Sequence, residues 1–369
     1  MNAPTDEICR EIFSEVLPYF EAVDFRILNL ETPLTDKQKH SPIKKSGPNL
    51  ICASENVLYL KSLGADVCTL ANNHIGDYGE GAVQDTQTLL NTYDIRSCGV
   101  GKNLEGAYEA CRLEKDGVSV SLISVCENEF GIATNATYGA AGYNARLLLK
   151  TIRHEKERSS TVIVVLHGGN EYDPLPSPDT QDRYRLICDM GADAVIAGHT
   201  HCPQGYEFYN GKPIVYSMGN FLFQSRSERS ANDSWYYGLM SELNVQTTGI
   251  HLQLIPYRFD VDASHISVFK GKEKEAMLSY IECLSDIISD PEELDYYFAG
   301  WSYLHPWIPN APCDFSNLQD YHAAAKYNLL CCESHASQAK RVLRFCYEEN
   351  VEQAQRYAKK ITELSEMPV

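Results

Sequence analysis

The stretch TVIVVLHGGNEY, residues 161–172, decides the fold class. Its first six residues are apolar or β-branched without alternation, which suits a strand covered on both faces, as in a parallel sheet. The run then stops at a histidine, two glycines, an amide and a carboxylate. DAVIAGHTH (193–201) repeats the pattern: an apolar run, a glycine, then His199 and His201. Upstream, FRILNL (25–30) runs into Glu31, and DVCTLA (66–71) runs into Asn72, Asn73 and His74, with Asp77 close behind. IRSCGV (95–100) and VSVSLISV (118–125) are further strand candidates. Helical patterns lie between them at 55–63, 81–93, 145–157 and 179–190, after an opening helix from Glu7 to about Phe20. Strand–helix alternation of this kind predicts a layered α/β domain.

From about residue 212 the pattern changes. KPIVYSMGNFLF (212–223), WYYGLMSELNVQ (235–246) and GIHLQLIPYRFDV (249–261) follow one another across short breaks, as mostly antiparallel strands do. After 272 the chain becomes acidic and helical, with segments near 273–289, 315–330 and 335–364. The proline-rich stretch HPWIPNAPCDF (305–315) reads as a linker or surface clasp. The expected organisation is a domain over 1–271 and a helical region over 272–369.

Composition narrows the partners. The chain has 369 residues, 44% hydrophobic, so it can bury a sizeable core. With 32 Lys and Arg against 50 Asp and Glu, the net charge is −18. That balance argues against nucleic acid and against adsorption to an anionic membrane. No apolar run is long enough to span a bilayer, and the acidic start MNAPTDEICREIF does not read as a signal peptide. Thirteen cysteines without a CxxC pair suit buried thiols in a reducing compartment. Read at face value, the chain is expected in the cytoplasm.

The polar residues that end the apolar runs carry the chemistry. In open α/β sheets ligands bind outside the carboxyl ends of strands. Four of the eleven histidines (His74, His167, His199 and His201) sit in such junctions. Carboxylate, amide and imidazole together suit Zn, Mn, Fe or similar divalent ions. Each junction also has a plainer reading. Glu31 can be a helix cap or surface carboxylate, Asn72 and Asn73 a turn, and His167 a loop histidine bonded to backbone. His199 and His201 would share a side in an extended segment. Cys202 reads as a small buried thiol.

Five motifs in order, NLETPLTD (29–36), LANNHIGDYG (70–79), HGGNEY (167–172), GADAVIAGHTHCPQ (191–204) and VYSMGNFLF (215–223), give the chain a family resemblance. It resembles the CapA, or poly-gamma-glutamate capsule-synthesis, family over roughly residues 10–225. That family is similar to the calcineurin-like metallophosphoesterases, a β-sandwich flanked by helices around a two-metal site. The resemblance implies a metal-dependent hydrolase of phosphate esters linked to capsule synthesis, using one or two divalent ions (Mn, Zn or Fe). It makes Glu31 the bridging carboxylate, with Asn73, His167, His199 and His201 as further ligands. His74 becomes the general acid or phosphate-binding group, oriented by Asp77. Asn72, Glu171, Ser217 and Asn220 would contact the substrate or orient the ligands.

One departure qualifies that picture. Relatives begin with a strand carrying a Gly-Asp motif whose Asp binds the second metal, and here no Gly-Asp precedes NLE. Either the start is set late, and an outward-facing membrane anchor lies upstream, or half the site is lost. The second metal would then keep only Glu31 and His201, and a strand missing from the sheet would expose an apolar edge. Expected partners are a phosphorylated small molecule or an anionic polymer, together with capsule-synthesis proteins. The alternatives are a metal-crippled, non-catalytic capsule-assembly protein of the same fold and an interaction role for the helical C-terminal region.

Overall fold

The computed structural model describes residues 4–224, 228–246, 248–306, 321–348 and 350–369. Most of the expected linker at 305–315, and the start of the helix expected at 315–330, lie outside these residues. None of the described helices is long and apolar enough to cross a membrane. The chain divides into two units, each assembled from separate pieces. One comprises Met1–His167, Met190–Ala192 and Pro309–Cys332; the other comprises Gly168–Asp189, Asp193–Ile308 and Glu333–Val369.

In the first unit, β1 (Ile27–Asn29), β2 (Val67–Thr69) and β3 (Arg96–Cys98) form a parallel sheet in that order. β1 lies at an edge, where Ile27 is 39% exposed. The remaining strands are β4 (Val100–Gly101), β5 (Cys111–Lys115), β6 (Val118–Cys126), β7 (Gly139–Ala140) and β8 (Thr161–His167). β4 pairs with β7, and β5 and β6 form a hairpin whose Asp116 and Gly117 both take positive φ, as a tight two-residue turn requires. β6 runs parallel to β8, with Cys126 opposite His167. Continuous burial along β8 matches the apolar run that predicted it.

Helices anchor the segments that leave these strands. Helix Gly79–Thr92 buries Ala82, Val83, Thr86 and Leu90 along one face. Its Thr86 Oγ1 accepts from Leu34 N at 2.9 Å, and Thr35 Oγ1 donates to Asp85 at 2.7 Å, which tethers the segment just beyond Glu31. Helix Ala145–Lys156 is capped by Asn144 and packs on β8 through buried Leu148 and Ile152. Each such side chain contributes roughly 1.5–3 kcal/mol by burial. Burial would push the Glu155 carboxyl of this helix up, but Arg112 (2.7 and 2.6 Å) and Ser121 (2.7 Å) outweigh it and hold it below its ordinary range. Helix Tyr321–Cys331 belongs to the same unit. Asn328 donates to Glu129 at 3.1 Å and Cys332 to Glu127 at 3.3 Å, on the loop after β6.

The expected opening helix is two helices, Asp6–Ile12 and Leu17–Glu21. Pro18 is the reason: lacking an N–H, it fits only a first turn.

In the second unit, β9 (Ala194–Gly198) runs parallel to β11 (Lys212–Val215), and β10 (Tyr206–Tyr209) pairs antiparallel with β11. β12 (Tyr237–Gln246), β13 (Gly249–Phe259) and β14 (Ile266–Val268) form an antiparallel sheet, as the sequence suggests. Helices Pro178–Asp189, Gly271–Ser289, Pro291–Leu304, Glu333–Glu348 and Glu352–Leu364 complete it. Helix Pro291–Leu304 begins at an Asp290 cap that accepts from the amides of Glu292 and Glu293. Gly300 lets helix Glu352–Leu364 approach closely, since a Cβ there would lie 2.5 Å from the Tyr357 carbonyl carbon.

The chain is therefore mixed α/β. None of the twelve described cysteines forms a disulfide; eight are buried, whereas Cys283 and Cys346 are exposed.

Candidate functional site

Three polar junctions meet inside the first unit. β1 leads to Glu31, β2 leads to Asn73 and β8 ends at His167. His167 Nε2 lies 3.0 Å from Asn73 Oδ1 and 3.6 Å from Glu31 Oε1. His167 and Asn73 are buried, and the Glu31 side chain is 11% exposed. An imidazole nitrogen, an amide oxygen and a carboxylate oxygen thus converge, a donor set that fits a borderline divalent cation.

Asn72 sets the geometry from below. Its Nδ2 donates to the Leu30 carbonyl at 2.8 Å, and its Oδ1 accepts from His74 N and Ile75 N. One buried amide thereby joins the residue before Glu31 to the turn that carries Asn73 and His74. Asn72 acts here on the backbone.

His74 is held by a carboxylate of its own turn. Its Nδ1 lies 2.6 Å from Asp77 Oδ2. A carboxylate only accepts, so Nδ1 carries the proton and Nε2 faces away from Asp77. Lys45 completes the group and was not legible as a site residue. Its Nζ lies 2.5 Å from Asp77 Oδ1 and 3.2 Å from His74 Nδ1. It sits among Lys37, Lys39 and Lys44 in a polar stretch that reads as an exposed loop, and no spacing sets it apart.

The second unit holds the other two histidines. His199 and His201 do not lie on an extended segment: both take positive φ, 116° and 59°. Such conformations cost of order 1–3 kcal/mol each in non-glycine residues and persist only where surroundings enforce them. The enforcing contacts are visible. Gly168 N donates to Gly198 O at 2.9 Å, and Tyr172 N to Thr200 O at 2.7 Å. Ser217 Oγ donates to Cys202 O and accepts from Gly219 N, so this hydroxyl secures the histidine-bearing turn. Asn220 Oδ1 lies 2.8 Å from His201 Nδ1 and fixes that ring in the tautomer whose lone pair is on Nε2. The two histidine rings are 6.1 Å apart between centroids.

Aromatic residues surround His201, a feature sequence reading missed. Trp235 stands 4.6 Å, Phe223 5.3 Å and Tyr172 5.9 Å from its ring. Burial, then the neighbouring charge of half-buried Glu171, pushes the Tyr172 phenol up to about 12. Burial likewise raises the Cys202 thiol to about 12; it donates to the Asp173 carbonyl at 3.2 Å, in keeping with a buried thiol and not a ligand.

Asp173 is 1% exposed, and its Oδ2 has no hydrogen-bond partner among the described residues. Burial pushes its carboxyl well above the usual carboxylate range, opposed only by the Leu175 amide. The folded chain therefore keeps a proton that the unfolded chain releases above pH about 4, so this group costs stability as pH rises. Asp173→Asn should remove that slope. Denaturation midpoints at pH 5 and pH 8 should show the variant gaining on wild type at the higher pH; an equal difference at both would contradict it.

Several known proteins are similar to this chain. Capsule biosynthesis protein CapA of Bacillus anthracis is 31% identical over 231 residues, 60% of this chain and 56% of that protein. PGA biosynthesis protein CapA of Bacillus subtilis (strain 168) is 30% identical over 227 residues, 60% of this chain and 59% of that protein. The chain thus spans little more than half the length of these relatives. Among solved structures, a hypothetical protein from Thermus thermophilus aligns with 16% identity and a TM-score of 0.43, covering 68% of this chain and 94% of that one. Residues 2–225 match the family model described as bacterial capsule synthesis protein PGA_cap, well over half the chain, and the chain belongs to that family.

Proposed function

We propose that the chain is a metal-dependent hydrolase of phosphate esters that serves capsule or poly-gamma-glutamate synthesis. The observation that carries this reading is the convergence of Glu31, Asn73 and His167 beside a His74–Asp77 pair. Glu31, Asn73 and His167 are proposed as ligands of a divalent ion, and His199 and His201 as ligands too. A bound ion of this kind supplies Lewis acidity to a phosphoryl oxygen and lowers the pKa of water. Among the chain's own groups, Asp77 holds the Nδ1 proton of His74, which leaves Nε2 to move a proton at the leaving oxygen. Asn220 keeps His201 in one tautomer. The substrate class is a phosphorylated small molecule or an anionic polymer. A net charge of −18 disfavours a broad polymer-binding face, which favours the small molecule. Capsule-synthesis proteins are the expected partners.

The test is hydrolysis of p-nitrophenyl phosphate mono- and diesters with Mn, Zn, Fe or Mg. Wild type should turn over at least one of them, and His74→Ala should lower kcat by about 10²–10⁴-fold, the usual contribution of a positioned acid or base. Equal inertness of the two proteins with metal bound would defeat the enzymatic reading and favour a non-catalytic assembly role.

A further inference from the structure

Asp77 is bonded through both its carboxylate and its carbonyl oxygen, and nearly all its partners come from one segment. Ile43 N (2.9 Å) and Asn49 Nδ2 (2.9 Å) donate to its carbonyl oxygen. Leu50 N donates to Oδ2 at 2.6 Å, the oxygen that also takes His74 Nδ1. Lys45 Nζ takes Oδ1 at 2.5 Å and reaches the Asn73 carbonyl at 3.3 Å. The Asp77 side chain is 0% exposed and that of Lys45 3%, although neighbouring Lys44 is exposed. An ammonium drawn out of water in this way costs free energy that only a specific set of partners offsets. Solubility does not explain it.

We infer that Lys45 is a positioning residue for His74. Its ammonium fixes the Asp77 carboxylate, and through it holds the imidazole with Nδ1–H directed at Asp77 and Nε2 turned away. With Oδ1 held by Lys45, the carboxylate cannot rotate its other oxygen away from His74. The ammonium also clamps the 43–50 segment to the Asn73 carbonyl, so one cation ties together a proposed ligand, the proton-moving histidine and its partner. The inference rests on His74 having the role proposed above, yet its main test does not need turnover.

The experiment uses the full chain with ¹⁵N-labelled histidine, His74 being assigned by a His74→Gln variant. Wild type should show a downfield His74 Nδ1–H proton that exchanges slowly with solvent. Lys45→Met should lose that signal, while Lys44→Met keeps it. Should Lys45→Met fail to fold, Lys45→Gln, which can still donate to the Asn73 carbonyl, carries the same expectation. A folded Lys45 variant with an unchanged Nδ1–H signal, or a wild-type His74 protonated only at Nε2, overturns the inference. Where wild type hydrolyses a test ester, Lys45→Met should lower kcat about tenfold with KM unchanged, a fraction of a full acid–base contribution; an unchanged kcat argues against it. Loss of the proton signal in a chain that hydrolyses nothing would sink the proposed activity and leave the positioning role standing.

Discussion

Loaded with excess Mn, Zn or Fe and then desalted, wild type will retain metal, and His167→Ala will retain less than about a tenth as much. The expectation comes from the position of Nε2, 3.0 Å from the Asn73 amide oxygen and 3.6 Å from the Glu31 carboxylate. Removing that nitrogen takes away the only imidazole among the three donors that converge in the first unit, leaving the weaker Glu31 and Asn73 oxygens there. Changing a group that merely orients a ligand usually costs about 10–100-fold in metal affinity or activity, so removing a ligand should cost more, about 10³-fold in hydrolysis. Elemental analysis and initial rates on the same samples check both, with His154→Ala on the exposed face of helix Ala145–Lys156 as the control. Wild-type metal content in His167→Ala would remove the basis of the proposed centre.

The second large effect is expected from a single methyl group. Gly76 lies between His74 and Asp77, and a Cβ there would stand 2.8 Å from the Gly131 Cα. Gly131 cannot easily retreat: its φ is +74°, and its carbonyl accepts from Ala140 N at 2.9 Å. The turn itself must therefore move. Gly76→Ala should cost about 1–3 kcal/mol, the usual penalty of overpacking, and should weaken metal retention because Asn73 is on the displaced turn. Urea denaturation measures the first and elemental analysis the second. A stability change under about 0.5 kcal/mol, the level of ordinary surface substitutions, would mean the contact is softer than drawn.

How much the sequence disclosed depends on how far each signal reaches. Continuous apolar runs such as TVIVVL and DAVIAG became the parallel strands β8 and β9, because burial on both faces leaves a local mark. Helix Pro291–Leu304 went unread: residues 297–302 are buried almost without interruption, which erases the amphipathic period. The single helix expected over 335–364 is two, with Asn350 accepting from Glu352 N where the second begins. For the site, residue types at strand ends identified Glu31, Asn73 and His167, and their meeting in the first unit depends on contacts far apart in sequence. An extended backbone would set His199 and His201 on one side, whereas the chain is kinked at both positions. Lys45 left no trace, since nothing local distinguishes a buried lysine from the solvated ones beside it.

The uneven distribution of thiols also shapes how the molecule can be handled. Among the described cysteines only Cys283 and Cys346 stand in solvent, on helices Gly271–Ser289 and Glu333–Glu348 of the second unit. Burial pushes Cys68 and Cys188 up to about 12, which suppresses the reactive thiolate at neutral pH. Among the described thiols, maleimide dyes should therefore attach first at those two helices, and oxidation during storage should begin there and not at the buried thiols.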